Sequence, residues 1–142
     1  MQLASYLAPA DRDLVLAVFA RGLSVAELAR AAGQRQRTIT RRLRRLLLHL
    51  RRPEFAYVAA HHEAWPPLRR HTASIVLLQR RSRIHAARVL RVSIYTIRRE
   101  MDAIAILIEQ ARAMGRLMNP LAIPRRATQV DLHASGREGS ER

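Results

Sequence analysis

Apolar residues recur at helical spacing over almost the whole stretch between residues 10 and 118. Ile39, Leu43, Leu46 and Leu50 follow one another at intervals of four, three and four, the stripe of a helix with one covered side. Ile97, Met101, Ile104 and Ile108 repeat that stripe in the same register, displaced by 58 residues. Identities accumulate at the same displacement: Arg12 with Arg70, Val18 with Val76, Ser24 with Ser82, Ala29 with Ala87, Arg30 with Arg88, Thr38 with Thr96, Ile39 with Ile97 and Arg41 with Arg99. Two copies of one helical unit are the simplest account of this self-similarity.

Each copy reads as three helices. In the first, Ala10 to Ala20 carries Leu14, Val15, Val18 and Phe19 on one side and ends at Gly22. Ser24 is an N-cap for a second helix over Val25 to Ala32, and Gly33 gives the freedom for a tight turn. A third helix runs from Gln36 to Arg52, where Pro53 stops it. In the second copy the helices are expected over Thr72 to Arg81, over Arg83 to Leu90 behind the cap Ser82, and from Ile94 to about Met118 behind the cap Ser93. The predicted organisation is therefore a first unit over 1–52, a linker over 53–68 holding Pro66-Pro67 and some helical turn around Glu54 to Ala64, and a second unit over 69–118. A tail over 119–142, rich in Pro, Gly, Ser and charge, is expected to be disordered. Sparse Gly and Pro, short β-branched runs and abundant Ala, Leu and Arg place the chain in the all-α class.

Charge alters this picture more than composition does. The chain has 26 basic residues against 11 acidic ones, a net charge of +15, and every basic residue is Arg. A bias towards Arg codons and selection for the guanidinium fork both account for the missing Lys, but neither removes the cationic surplus. Such a surplus suits a polyanion, either nucleic acid or an acidic membrane surface. With no Cys, disulfides, Cys-based zinc sites and thiol nucleophiles are excluded. The residues from Met1 to Arg12 do not read as a secretion signal, and no stretch approaches the ~20 apolar residues that cross a bilayer, so a cytoplasmic, nucleoid-associated location is expected.

The segment "LAPADRDLVLAVFARGLSVAELARAAGQRQRTITRRLRRL" resembles the helix-turn-helix of sigma factor region four and of LuxR-type response regulators. The resemblance rests on Leu7, Pro9, Asp11, Arg12, Gly22, Leu23, Ser24, Glu27, Leu28, Ala29, Gly33, Thr38, Ile39, Arg42 and Leu43. Gln34 stands where that pattern prefers an aliphatic residue, and Arg35 where it prefers a capping Ser. "RIHAARVLRVSIYTIRREM" resembles the Fis and NtrC type of helix-turn-helix through Ala86, Ala87, Leu90, Val92, Thr96, Ile97 and Arg98, with Arg91 in the place of the usual turn glycine. What these resemblances imply is a DNA-binding module whose last helix enters the major groove.

The residues fit that implication. With Ile39, Leu43, Leu46 and Leu50 turned inward, Arg37, Arg41, Arg44, Arg51 and Arg52 lie on the far side of the same helix. No acidic residue interrupts the chain between Glu27 and Glu54, so attraction to phosphate along it is unopposed. Base contacts usually come from the start of such a helix, which nominates Gln36, Arg37, Thr40 and Arg41, with Tyr95, Arg98 and Arg99 as readers in the second unit. Arg30, Arg35, Arg44, Arg80, Arg81, Arg83 and Arg88 suit phosphate clamping. Asp102 and Glu109 on the outward face of the last helix would repel phosphate, so the first unit is expected to grip and the second to position or discriminate.

The run "AIAILI" at 103–108 is apolar all round and wants two partners. Burial against the first unit or against Phe55, Tyr57 and Trp65 is one answer, and a homodimer seam over 101–118 is the other. His61, His62 and Glu63 do not have the spacing of a helical zinc site, and no phosphate loop, nucleophile elbow or isolated carboxylate pair is present. No catalytic residue, metal or cofactor is therefore expected. A basic helix lying on a membrane would favour Trp and Phe, and RNA recognition would favour stacking aromatics, of which the chain has few. Double-stranded DNA is the expected partner, for a transcriptional regulator, for an architectural or recombination-accessory protein, or for a sigma-like subunit recruiting RNA polymerase.

Overall fold

The computed structural model describes residues 2–117, and within that span it is built of helices and turns alone. A short 3-10 helix, Gln2–Tyr6, leads into α1 (Pro9–Phe19), α2 (Val25–Ala32) and α3 (Gln36–Leu50). Next come α4 (Pro53–His61) and a 3-10 turn, His62–Ala64. The helix α5 (Pro67–Thr72) runs on without a break into a π-helical stretch, Ala73–Leu78, before α6 (Arg83–Leu90) and α7 (Ile94–Ala113). The fold is all-α, as the composition predicts.

Backbone detail repeats at the displacement seen in the sequence. Proline opens the first helix of both units, Pro9 in α1 and Pro67 in α5, where its missing N–H costs nothing. Ser24 caps α2 by accepting from the Glu27 amide at 3.1 Å, while the Glu27 carboxylate accepts from the Ser24 amide at 2.8 Å. That bond is the main reason the Glu27 carboxyl titrates below its ordinary range. Ser82 caps α6 by accepting from the His85 amide at 2.9 Å. The chain ends α1 through Leu23 N–H to Ala17 O at 3.0 Å, and ends the π stretch through Arg81 N–H to Ile75 O, also at 3.0 Å. It ends α2 through Gln34 N–H to Ala29 O at 2.9 Å, and α6 through Val92 N–H to Ala87 O at 3.1 Å.

Both turns need a left-handed residue, and the units supply it differently. The first uses Gly22 (φ 69°) and Gly33 (φ 62°), the second Arg80 (φ 59°) and Arg91 (φ 55°). A Cβ added at Gly22 or Gly33 would meet nothing within 4 Å, so what glycine relieves there is backbone conformation and not crowding.

The structure redraws several predicted boundaries. The first helix of the second unit begins at Pro67, five residues before Thr72, because Pro66-Pro67 starts a helix instead of breaking one. Residues 53–61, predicted mainly as linker, form α4, with Pro53 at its first position while Arg51 caps the end of α3. The last helix stops at Ala113, short of Met118, where Gly115 (φ 66°) turns the chain and Arg116 N–H bonds Ala111 O at 2.8 Å. The predicted tail over 119–142 lies outside the described residues.

One apolar cluster serves both units. Leu7, Leu14, Val15, Ile39, Leu43 and Leu46 from the first meet Ala73, Leu78 and Ile104 from the second, with Phe55, Val58 and Ala59 of α4 among them. The carbonyl of Leu78, at the end of the π stretch, accepts from Nε2 of His49 on α3 at 3.3 Å. Arg112 on α7 pairs with Glu54 on α4 at 2.6 Å, two residues that are themselves repeat counterparts.

Arg91→Gly is expected to raise the stability of the fold by about 0.5–1 kcal/mol, and Gly33→Ala to lower it by about 1 kcal/mol, since each changes only the strain of a left-handed residue. Chemical denaturation of the two variants beside the parent chain checks both signs.

Candidate nucleic-acid interface

The helix α3 is held by its inner stripe: Ile39, Leu43 and Leu46 are buried, and Leu47 and Leu50 pack partly against the same cluster. Its opposite side is wet. Gln36, Arg37, Thr40, Arg41 and Arg44, nominated from the sequence as readers and phosphate contacts, are all exposed on this face. The hydroxyl of Thr40 donates to Gln36 O at 3.0 Å, which leaves its oxygen free to accept. Arg35, the residue before α3, makes no side-chain cap; the Thr38 amide bonds the Arg35 carbonyl at 3.0 Å, which leaves the Gln36 and Arg37 amides as the first-turn donors without an intrahelical acceptor.

The second unit presents the same frame with different chemistry. Tyr95, Arg98 and Arg99 are exposed on α7, Tyr95 at 67%. Ser93 closes the start of α7 by accepting from the Thr96 amide at 3.1 Å, whereas on α3 the matching Thr38 amide bonds the Arg35 carbonyl at 3.0 Å. Glu109 on the outer side is paired with Arg112. Arg30 on α2 and Arg88 on α6 occupy matching exposed positions, and Arg81 and Arg83 are exposed around the turn into α6.

An ion pair sets the tilt of each third helix against its first. Arg42 on α3 donates through Nε (3.0 Å) and Nη2 (2.6 Å) to Oδ1 of Asp11 on α1. In the second unit Arg69 on α5 donates through Nε to Glu100 on α7 at 3.0 Å. These are counterpart positions with the signs exchanged. Such half-buried pairs contribute on the order of 1 kcal/mol each but fix geometry. Neither pair emerged from helix periodicity; the charge reversal at the repeat displacement was the available signal.

One nominated residue crosses between the units. Arg80, from the turn after the π stretch, lines a groove with Thr38, Arg41, Arg42 and Arg45 of α3. Arg45, exposed like Arg44 on the outer side of α3, is a further cation of this groove that helix periodicity alone does not mark out. Further along α3, burial of the His49 ring holds its pKa below the ordinary imidazole value, opposed by the bond to Leu78 O and assisted by Arg80 and Arg52.

The outer stripe considered for a dimer seam is divided by the fold. Met101, Ile104 and Ile108 join the shared cluster, whereas Ile106 is 59% exposed and Met114 66%. His62 is buried with Nδ1 donating to Val58 O at 2.8 Å and its ring edge-on to Tyr6, and His61 leans on Tyr57. Among the described residues no group of three or more His, Asp or Glu side chains could hold a metal ion, and no helix is long and apolar enough to cross a membrane. No protein-family model, curated protein or solved structure matches the chain.

Because His49 is held neutral in the fold while an unfolded imidazole titrates near ~6.5, the unfolded chain takes up the proton first. Stability is present above that value and lost as the pH falls through it towards the lower folded value. The denaturation midpoint is expected to drop between about pH 7 and pH 5, and in His49→Gln, which keeps a donor for Leu78 O, part of that drop should vanish.

Proposed function

We propose that this chain is a non-enzymatic, sequence-specific binder of double-stranded DNA that acts in the regulation of transcription. The observation that carries the reading is α3: a helix anchored by Ile39, Leu43 and Leu46, with Gln36, Arg37, Thr40, Arg41 and Arg44 exposed on its other side and an uncapped start. An α-helix of this kind fits the width of the major groove. Gln36 is suited to adenine, and Arg37 or Arg41 to the paired acceptors of guanine. Arg30, Arg35 and Arg44 stand where they would meet the flanking phosphates.

The second unit plays a different part. Its α7 has a capped start, and Tyr95 in the place of Arg37, so it contributes less attraction per residue. Tyr95, Arg98 and Arg99 then discriminate or position, while α3 supplies the grip.

Two measurements test this. Selection of bound fragments from random duplex DNA should enrich one motif, and Gln36→Ala or Arg41→Ala should relax it at one base pair, by about 10- to 100-fold in preference. Selection without any enriched motif would leave a coating protein and end the claim of specificity. With about five phosphates neutralised, affinity should fall roughly two to three orders of magnitude between about 50 and 200 mM salt. A flat salt dependence would contradict the electrostatic basis of the whole reading.

A further inference from the structure

The groove of ≈ 430 Å³ between α3 and the turn preceding α6 concentrates positive charge that neither unit assembles by itself. Its walls bear Arg41, Arg42, Arg45 and Thr38 from α3, Arg80 from the second unit, and a single carboxylate, Asp11. Asp11 is already engaged by two donors of Arg42. Among the described residues Arg41, Arg45 and Arg80 have no ion-pair partner, and all three are exposed. Three unneutralised guanidinium groups around one groove repel one another unless an anion lies among them.

Two further observations bear on Arg80, whose left-handed turn Arg91 shares. Its backbone sits at φ 59°, a conformation the first unit gives to Gly22, so a long cationic side chain stands where glycine would be the relaxed choice. The counterparts of the groove in the second unit do not reproduce it: Arg42 is matched by Glu100 and Arg45 by Ala103. The site is thus built once, at the junction of the units.

We infer that this groove holds one backbone phosphate of the bound duplex, clamped by Arg45 and Arg80 with Arg41 at its rim, so that both units grip a single DNA strand together. The inference rests on the duplex-binding reading and adds to it a site shared by the two units. The alternative, in which each unit meets DNA independently, gives Arg80 no tie to Arg45.

The test uses the full chain and a mixed-sequence duplex, with Arg80→Gly, Arg45→Ala and the double variant. Arg80→Gly relieves a strained residue, so its unfolding midpoint should equal or exceed that of the parent. Its affinity should nevertheless fall about five- to tenfold, with the slope of log affinity against log salt reduced by about one. Arg45→Ala should lose a similar amount, and the double variant should lose clearly less than the two losses combined, because both groups serve one phosphate. Parent-like affinity in Arg80→Gly, or simple additivity in the double variant, would overturn the shared site while leaving DNA binding intact. A parent chain that does not bind the duplex would bring down the site and the function together.

Discussion

Neither three-helix unit encloses its own apolar surface, and this incomplete closure governs the rest of the architecture. The inner stripe of α3 and that of α7 reach a common cluster, with Phe55, Val58 and Ala59 of α4 set among the contributions from both sides. A repeat that cannot cover its hydrophobic face alone gains stability by stacking on its neighbour. The intervening segment is therefore structural. Ile104 and Leu78 are completely covered, in a cluster to which both units contribute. The rigid placement of α3, with its cationic side outward, follows from this shared interior, as does the approach of Arg80 to a helix more than thirty residues away in the chain.

The two units diverged at the positions that matter least for folding. The Ser24 and Ser82 caps, the left-handed conformation of the turns and the inner stripes of the third helices are kept, since each satisfies a backbone or burial requirement that any copy has to meet. The outward residues are free of that requirement, and there Gln36 and Arg37 face Ile94 and Tyr95 as counterparts. An uncapped Arg35 has become Ser93, which occupies its own helix start. One frame thus carries two surfaces, one dominated by charge and one by an aromatic ring and paired ions.

Much of the local structure could be read from the residues. Ser24, Ser82 and Ser93 cap the helices they were expected to cap, and the inner stripes of α3 and α7 face the core as periodicity requires. Proline was harder. The same residue that ends one helix can begin the next, and only the match of Pro67 with Pro9 reveals which role applies. Arg91 was legible only by comparison: local preference argues against a left-handed arginine, but the resemblance sets it at the usual turn glycine and the repeat displacement sets it opposite Gly33. The union of the two units left one trace, the all-round apolar run at 103–108 that asks for a second partner, and Ile104 does meet the first unit and Phe55; which residues lie opposite one another was illegible, because contacts between distant segments leave no period in the sequence. The Arg80 groove belongs to that class, and Arg45 gained meaning only once the second unit lay beside it.

The exchanged signs of the Asp11–Arg42 and Arg69–Glu100 pairs carry one more consequence. A duplicated chain is prone to misassembly, because the leading helix of either copy has nearly the right shape for the other copy's partner. With both pairs of the same polarity, such a swapped dock would be electrostatically indistinguishable from the correct one. Here it would press Asp11 against Glu100 and Arg69 against Arg42, two repulsions in place of two attractions. The reversal acts as a key that lets two similarly folded halves of one molecule tell themselves apart while they fold.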